Sequence, residues 1–283
     1  DGSVLKKENI QFLIQDAKQQ ILKYYSNYNI SHIIINNYKI DGIDYPYLPG
    51  EIKCKFVSID IVFICLPTDL VLYFKSIFSK SNILINETIC ASYAKSINYK
   101  NILNSNGYVS FIDVGFNRTS IISYIDDKII SINNLPIGGN HITKDISQIL
   151  EIDLEKSEHL KRNFDKNLKS SNNEDNLLDI LQQIIFARIE EILDLSKKSI
   201  LSNLHSLDEF KMILIGDGSK ILDNQNKDKI SFLNDIDFLE ETSEDVCQSG
   251  IKLLTGLNKQ EVVMIEKKQI KEGFFEKLFH LFG

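Results

Sequence analysis

The 283-residue chain has no tryptophan, only four prolines and four cysteines, and no excess of positive charge. Cys54, Cys65, Cys90 and Cys247 are widely scattered, with no CxxC pair and no histidine at ligand spacing. That excludes a disulfide-stapled miniature and predicts reduced structural thiols. Lys and Arg total 32 against 39 Asp and Glu, a formal charge of −7. The chain thus lacks the basic footprint that phosphate-backbone binding needs, and nucleic acid is excluded as its main partner. The longest uninterrupted apolar run, Ile61 to Leu66, is far short of the ~20 residues of a spanning helix. No secretory signal opens the sequence, so a cytosolic setting follows by default. Methionine is missing from the first position, where Asp1 stands, and the expectation is a chain that begins inside a longer gene product. What is present, 43% hydrophobic and 25% charged residues, suffices for two domains or one large α/β unit.

Hydrophobic periodicity predicts an amphipathic helix over Leu5 to Tyr25, a short buried strand at His32 to Asn36, and β-rich stretches at Lys53 to Ser58 and Ile59 to Leu66. Pro67-Thr68-Asp69 supplies a stop and an N-cap for a helix expected to turn Leu70, Phe74, Ile77 and Phe78 inward. A strand at Ile83 to Ile85, a helix capped by Thr88 and running through Ile97, and a loop from Asn101 to Gly107 follow. Tyr108 to Val114, Ser120 to Ile125 and Lys128 to Asn134 read as a β-meander. Then come a helix after Gly138-Gly139-Asn140, another over Leu154 to Phe164, a loop over Asp165 to Asp175 and a long helix over Leu177 to Leu201. A strand at Met212 to Gly216, a short helix, a strand at Asp237 to Leu239 and a helix over Glu244 to Leu254 complete the order. Strands alternating with helices argue for an α/β fold.

Two features carry chemistry. In the stretch Phe111 to Tyr124, a carboxylate at a strand end (Asp113), a turn with Gly115 and a hydroxyl at Thr119 can bring backbone N–H groups to phosphates while the Asp holds Mg²⁺ through water. The same residues equally describe a plain hairpin. At the C-terminus, Phe274, Phe275, Leu278, Phe279, Leu281 and Phe282 share one helical face, with Glu276, Lys277 and His280 opposite and Lys267, Lys268 and Lys271 just upstream. Such a segment suits the interface of an anionic membrane. By pattern alone, it suits docking on a protein just as well.

The order of these motifs resembles the actin-like ATPase superfamily, and residue by residue the bacterial cell-division FtsA family. The Asp113 stretch looks like that family's second phosphate loop. Leu135 to Asp145 resembles Pro-Val-Gly-Gly-Asp-His-Val-Thr-x-Asp, Ser157 to Lys161 resembles Ala-Glu-x-x-Lys, Ile185 to Leu195 is similar to Ile-x-x-Arg-x-Glu-Glu-Ile-Phe-Glu-Leu, and Ile213 to Ser219 is similar to the adenosine loop. Asn86 to Ala94 and Glu244 to Leu254 look like the connecting helices.

The resemblance implies an actin-like (ribonuclease H-like) two-domain α/β fold with a reduced extra subdomain and a C-terminal amphipathic helix. Its implied parts are an incomplete first domain at 1–106 containing the subdomain at about 37–82, a second domain at 107–245, a connecting helix at 246–262, and a linker with membrane-targeting helix at 263–283. ATP with Mg²⁺ is the implied cofactor, with Asp113 as the metal-side carboxylate. Gly115, Thr119, Gly138, Gly139, Glu158, Lys161, Arg162, Gly216, Gly218 and Ser219 are the implied nucleotide contacts. Membrane contact is implied at the six apolar tail residues with Lys271 and Lys277. The implied partners are the C-terminal peptide of the tubulin-like protein FtsZ, further copies in actin-like filaments, other division proteins and anionic lipid, at the inner face of the bacterial cytoplasmic membrane at the division septum.

Departures from the family pattern temper the cofactor. Phe116, Asn117 and Arg118 replace Gly-Gly-Thr, and Asp217 replaces a glycine of the adenosine loop. Bulk at the first turn predicts a narrowed pocket, although Arg118 brings a charge suited to phosphate, and the first phosphate loop is expected before Asp1. The expectation is a weak ATPase at most. Two alternatives remain: an actin-fold small-molecule kinase, which the bulky turn disfavours, and a pilus-assembly adaptor of the PilM type, a family without a comparable membrane tail. Glu87 and Asp145 are candidate water-positioning groups or plain helix residues, Arg188, Glu190 and Glu191 are expected ion-pair partners, and nothing marks His141 as catalytic.

Overall fold

A computed structural model describes residues 2–50, 52–164, 175–203, 210–222 and 236–256. Two compact units divide them between Thr88 and Ile89.

In the first unit β1 (Ser3–Val4) pairs with β4 (Lys53–Cys54), while α1 (Lys7–Tyr24), β2 (Tyr28–Ile40), β3 (Ile43–Tyr45), β5 (Val57–Pro67) and α2 (Thr68–Ser79) build the main layer. The sheet runs β3-β2-β5, all antiparallel. β2 far exceeds the expected His32 to Asn36, because β5 pairs with it from Tyr28 opposite Pro67 to Ile40 opposite Val57. The β2–β3 turn is Asp41-Gly42, both at positive φ, the geometry that matches the twist of a tight hairpin. Ile10 and Ile14 of α1 pack on Ile33, Ile35 and Tyr38 of β2.

Several local expectations are corrected in this unit. Leu70, Phe74, Ile77 and Phe78 do not turn inward; they are 40–47% exposed, and Val71 is the buried residue of α2. The helix is apolar on nearly every side, so periodicity could not choose its face. Thr68 begins α2 without capping it by its side chain. Ile83 to Ile85 is not a strand, having no partner to hydrogen-bond with among the described strands. Thr88 caps no helix; its carbonyl accepts from the Ser31 hydroxyl instead.

The second unit contains α3 (Ala91–Leu103), β6 (Tyr108–Val114), β7 (Thr119–Ile125), β8 (Lys128–Leu135), α4 (Gly139–Leu150), α5 (Leu154–Arg162), α6 (Asp175–Leu201), β9 (Phe210–Ile215), β10 (Ile236–Phe238) and α7 (Ser243–Leu254). Its sheet runs β10-β9-β6-β7-β8. β6, β7 and β8 form the expected antiparallel meander, and β9 lies parallel to both β6 and β10. Strand alternation sends Ile112 and Val114 into one core with Ile142, Ile146, Leu181, Ile185, Ile189 and Ile192 of α4 and α6. It sends Phe111 to the other face, edge-on to Tyr124, whose hydroxyl meets Ser96 of α3 at 2.7 Å. Asp113, two residues beyond Phe111, is on this α3 side.

α3 begins at Ala91 and runs past Ile97 to Leu103, where a loop was expected from Asn101. The loop expected from Asp165 lies outside the described residues up to 174, and the tail segment from 263 lies outside them entirely. All four cysteines are free thiols. Among the described residues, no helix is long and apolar enough to cross a membrane.

Candidate functional site

Three glycine-bearing turns of the second unit converge at the C-terminal ends of β6 and β9. The β6–β7 turn closes with the Gly115 N–H donating to the Arg118 carbonyl at 2.9 Å. Against it lies the start of α4: the Gly139 N–H donates to the Gly115 carbonyl at 2.9 Å and the Asn140 N–H to the Phe116 carbonyl at 2.7 Å. A Cβ at Gly138 would fall 2.5 Å from the Gly115 carbonyl oxygen, so only glycine permits this approach. The turn after β9 completes the cluster. Gly216 adopts φ +95°, and a Cβ there would lie 2.5 Å from Asp113 Oδ1. Gly218 packs as closely on the Val114 carbonyl, and Gly139 approaches both Gly218 and the Lys161 ammonium. Asp113, Gly115, Gly138, Gly139, Gly216, Gly218 and Lys161 are thus brought together.

The remaining candidates sit around this cluster with their donors in use. Thr119 is buried and donates to the Ile137 carbonyl at 2.8 Å, and Ser219 donates to the Gly216 carbonyl at 2.7 Å. On α5, Lys161 Nζ donates to Glu158 Oε2 (2.6 Å), Thr143 Oγ1 (2.7 Å) and the Gly139 carbonyl (3.1 Å). Arg162 Nε donates to Glu158 Oε1 at 2.7 Å and is otherwise exposed. Burial opposes the charge on Glu158, but the hydrogen bonds from Lys161, Thr143 and Arg162 overcome it and hold the carboxyl at a pKa of about 2. The expected narrowing by Phe116 is corrected: that side chain is 62% exposed, and the turn is closed by backbone. Arg118 is exposed, and Asp217 points outward to pair with Lys220. α4 starts at Gly139, and His141 Nδ1 accepts from the Gly138 N–H at 3.1 Å, an acceptor for the helix start. Arg188 pairs with Glu191 as expected and also binds Asp145, while Glu190 makes no ion pair among the described residues.

The largest departure from expectation is at Asp113. Lys95 Nζ donates to Asp113 Oδ1 at 2.8 Å and to Glu241 Oε1 at 2.7 Å. Ser92 Oγ donates to Asp113 Oδ2 at 2.6 Å, and Tyr99 Oη to Glu241 Oε2 at 3.0 Å. The Lys95, Asp113 and Glu241 side chains are only 6%, 12% and 5% exposed. Burial alone would depress the Lys95 pKa, yet the two carboxylates more than offset it and raise it. Sequence reasoning missed Lys95 and Glu241. Lys95 left a signal on its own helix, where Ala91 to Leu103 has no apolar stripe although Ser92, Lys95 and Tyr99 recur at steps of three and four along one face; Glu241 left none.

A Mg²⁺ ion does not fit beside Asp113 in this arrangement. Both carboxylate oxygens already accept hydrogen bonds, and a fixed positive charge stands 2.8 Å from one of them. Nor do the Gly139 and Asn140 amides at the start of α4 stand free for a phosphate, since both donate to the facing turn, and the His141 amide donates back to the Gly138 carbonyl. Among the described residues, no group of three or more His, Cys, Asp or Glu side chains is placed to hold a metal.

Comparison with known proteins agrees with this loop order. The family model "Cell division protein FtsA" matches residues 110–259, more than half of the 283-residue chain. The cell division protein FtsA of Buchnera aphidicola subsp. Acyrthosiphon pisum is 25% identical across 96% of this chain and 72% of its own length. That of subsp. Schizaphis graminum is 25% identical across 89% and 62%, and that of Borreliella burgdorferi 26% identical across 56% and 38%. Among solved structures, the PilM-PilN type IV pilus biogenesis complex superposes with a TM-score of 0.61 at 13% identity, over 91% of this chain and 74% of that one. That likeness is one of fold, and the fold is the actin-like α/β type expected from the motifs. By its matched sequence and its arrangement of loops, the chain belongs to the FtsA family of cell-division proteins.

Proposed function

We propose that this chain is a cell-division adaptor that tethers FtsZ filaments, through their C-terminal peptide, to the inner face of the cytoplasmic membrane at the septum. The observation that carries the reading is the FtsA match over residues 110–259. The amphipathic pattern from Phe274 to Phe282 supports the membrane half of it. Burying several Phe and Leu side chains at ~1.5–3 kcal/mol each gives one weak, reversible anchor. Copies associating in actin-like filaments multiply that anchor by avidity, and other division proteins share the platform. ATP with Mg²⁺ is the family's cofactor by resemblance; here the paired Asp113 and the occupied α4 amides favour tethering over hydrolysis.

The test is co-sedimentation of the full chain with anionic liposomes, beside a variant ending at Glu272. The full chain should pellet and the shortened one should stay in the supernatant, with FtsZ following the pellet only when the full chain is present. Equal pelleting of both would overturn the reading of the tail as the membrane anchor.

A further inference from the structure

The end of β6 is built around a charge that the fold supplies itself. Two carboxylates, Asp113 and Glu241, come from segments far apart in sequence and face a common point. Placed there together without a counter-charge they would repel in a poorly solvated site, where the interaction is strong. The group at that point is the Lys95 ammonium, within 2.8 Å of both. Each carboxylate has a second donor on its other oxygen, Ser92 for Asp113 and Tyr99 for Glu241. Ser92, Lys95 and Tyr99 all lie on α3, so one helix face satisfies the whole site.

We propose that Lys95 is a built-in substitute for a divalent cation: its ammonium supplies the positive charge that a metal would bring to Asp113, so the three-turn cluster assembles and stays closed without metal. An ammonium with three N–H donors suits two carboxylates in the way a small cation would. Unlike a bound metal ion it cannot dissociate, and the site is therefore indifferent to divalent ion concentration. The neighbouring turns depend on the same arrangement, because Gly216 is packed against the very oxygen, Asp113 Oδ1, that Lys95 holds.

The experiment uses the full chain with Mn²⁺ as probe, read by electron paramagnetic resonance, and with Mg²⁺ in thermal unfolding. Wild type should bind no Mn²⁺ that Asp113→Asn removes, and its Tm should be unmoved by millimolar Mg²⁺. Lys95→Met uncovers both carboxylates; its Tm should fall by about 10 °C, recover in part with Mg²⁺, and a bound Mn²⁺ should appear that the double variant K95M/D113N loses. Tight Mn²⁺ binding by wild type that D113N abolishes would overturn the proposal, and so would a folded K95M chain indifferent to divalent ions. Should K95M not fold in any buffer, the wild-type and D113N measurements decide alone. Loss of the liposome anchor would leave these readouts unchanged, so the two proposals fail separately.

Discussion

His32 sits on β2 opposite Ile64, in a strand rich in isoleucine, and burial lowers its pKa from 6.5 to about 4. It folds as the neutral imidazole. Between pH 6.5 and about 4 the unfolded chain therefore takes up a proton that the folded one refuses, so stability is complete above pH 6.5 and falls as the pH drops toward 4. The full span of that loss is roughly 3 kcal/mol, and urea unfolding at pH 7 and pH 5 should show the midpoint drop, with His32→Gln flattening the dependence. Glu158 acts at lower pH. Its depressed carboxyl contributes above pH 4.5, and that contribution is lost as the pH falls through 4.5 toward 2. Single residues were also where the sequence was least legible. Asp113, Gly138 and Gly216 announced themselves by lying in recognisable turns, whereas Lys95 and Glu241 meet across a gap of 146 positions. No local pattern encodes a pairing of that kind, and an interior lysine contradicts the general rule that charges lie outside.

At the scale of elements, legibility followed how decisively one face was apolar. α1, the β6–β8 meander and α6 each show a clear period and lie within a few residues of expectation. α2 and α3 failed in opposite ways. α2 is apolar on almost all sides, so its inward face was chosen by contact with β2 and β5 rather than by periodicity. α3 has polar residues on every side, yet residues 93–100 are all buried, because its polar groups find partners: Asn98 with Ser249 and Lys252, Lys100 with Asp127. The difference is measurable in α2. Val71→Ala should cost roughly 2 kcal/mol through lost burial and a cavity, whereas Phe74→Ser, on a half-exposed position, should cost about 1 kcal/mol. Paired denaturant unfolding curves of the two variants check the ranking, and equal losses would place Phe74 in a core.

At the scale of the whole chain, two units meet at Thr88 and Ile89. Residues 80–90, between α2 and α3, carry no helix or strand, and Leu84 among them is 83% exposed. Brief chymotrypsin treatment should cut after Leu84 before it cuts within either sheet, and mass spectrometry should find a fragment that starts at Ile85. The Lys95 arrangement has a last consequence, for synthesis rather than for the finished fold. α3 and Asp113 leave the ribosome early, but Glu241 follows only after nearly the whole second unit, and β9, which must slot beside β6, also comes late. Until then the nascent helix holds an ammonium with half its partners, beside a sheet that lacks one neighbour of its central strand. Completion of this unit therefore waits for Glu241, and a ribosome stalled before the codon for Glu241 would display a species suited to capture by chaperones.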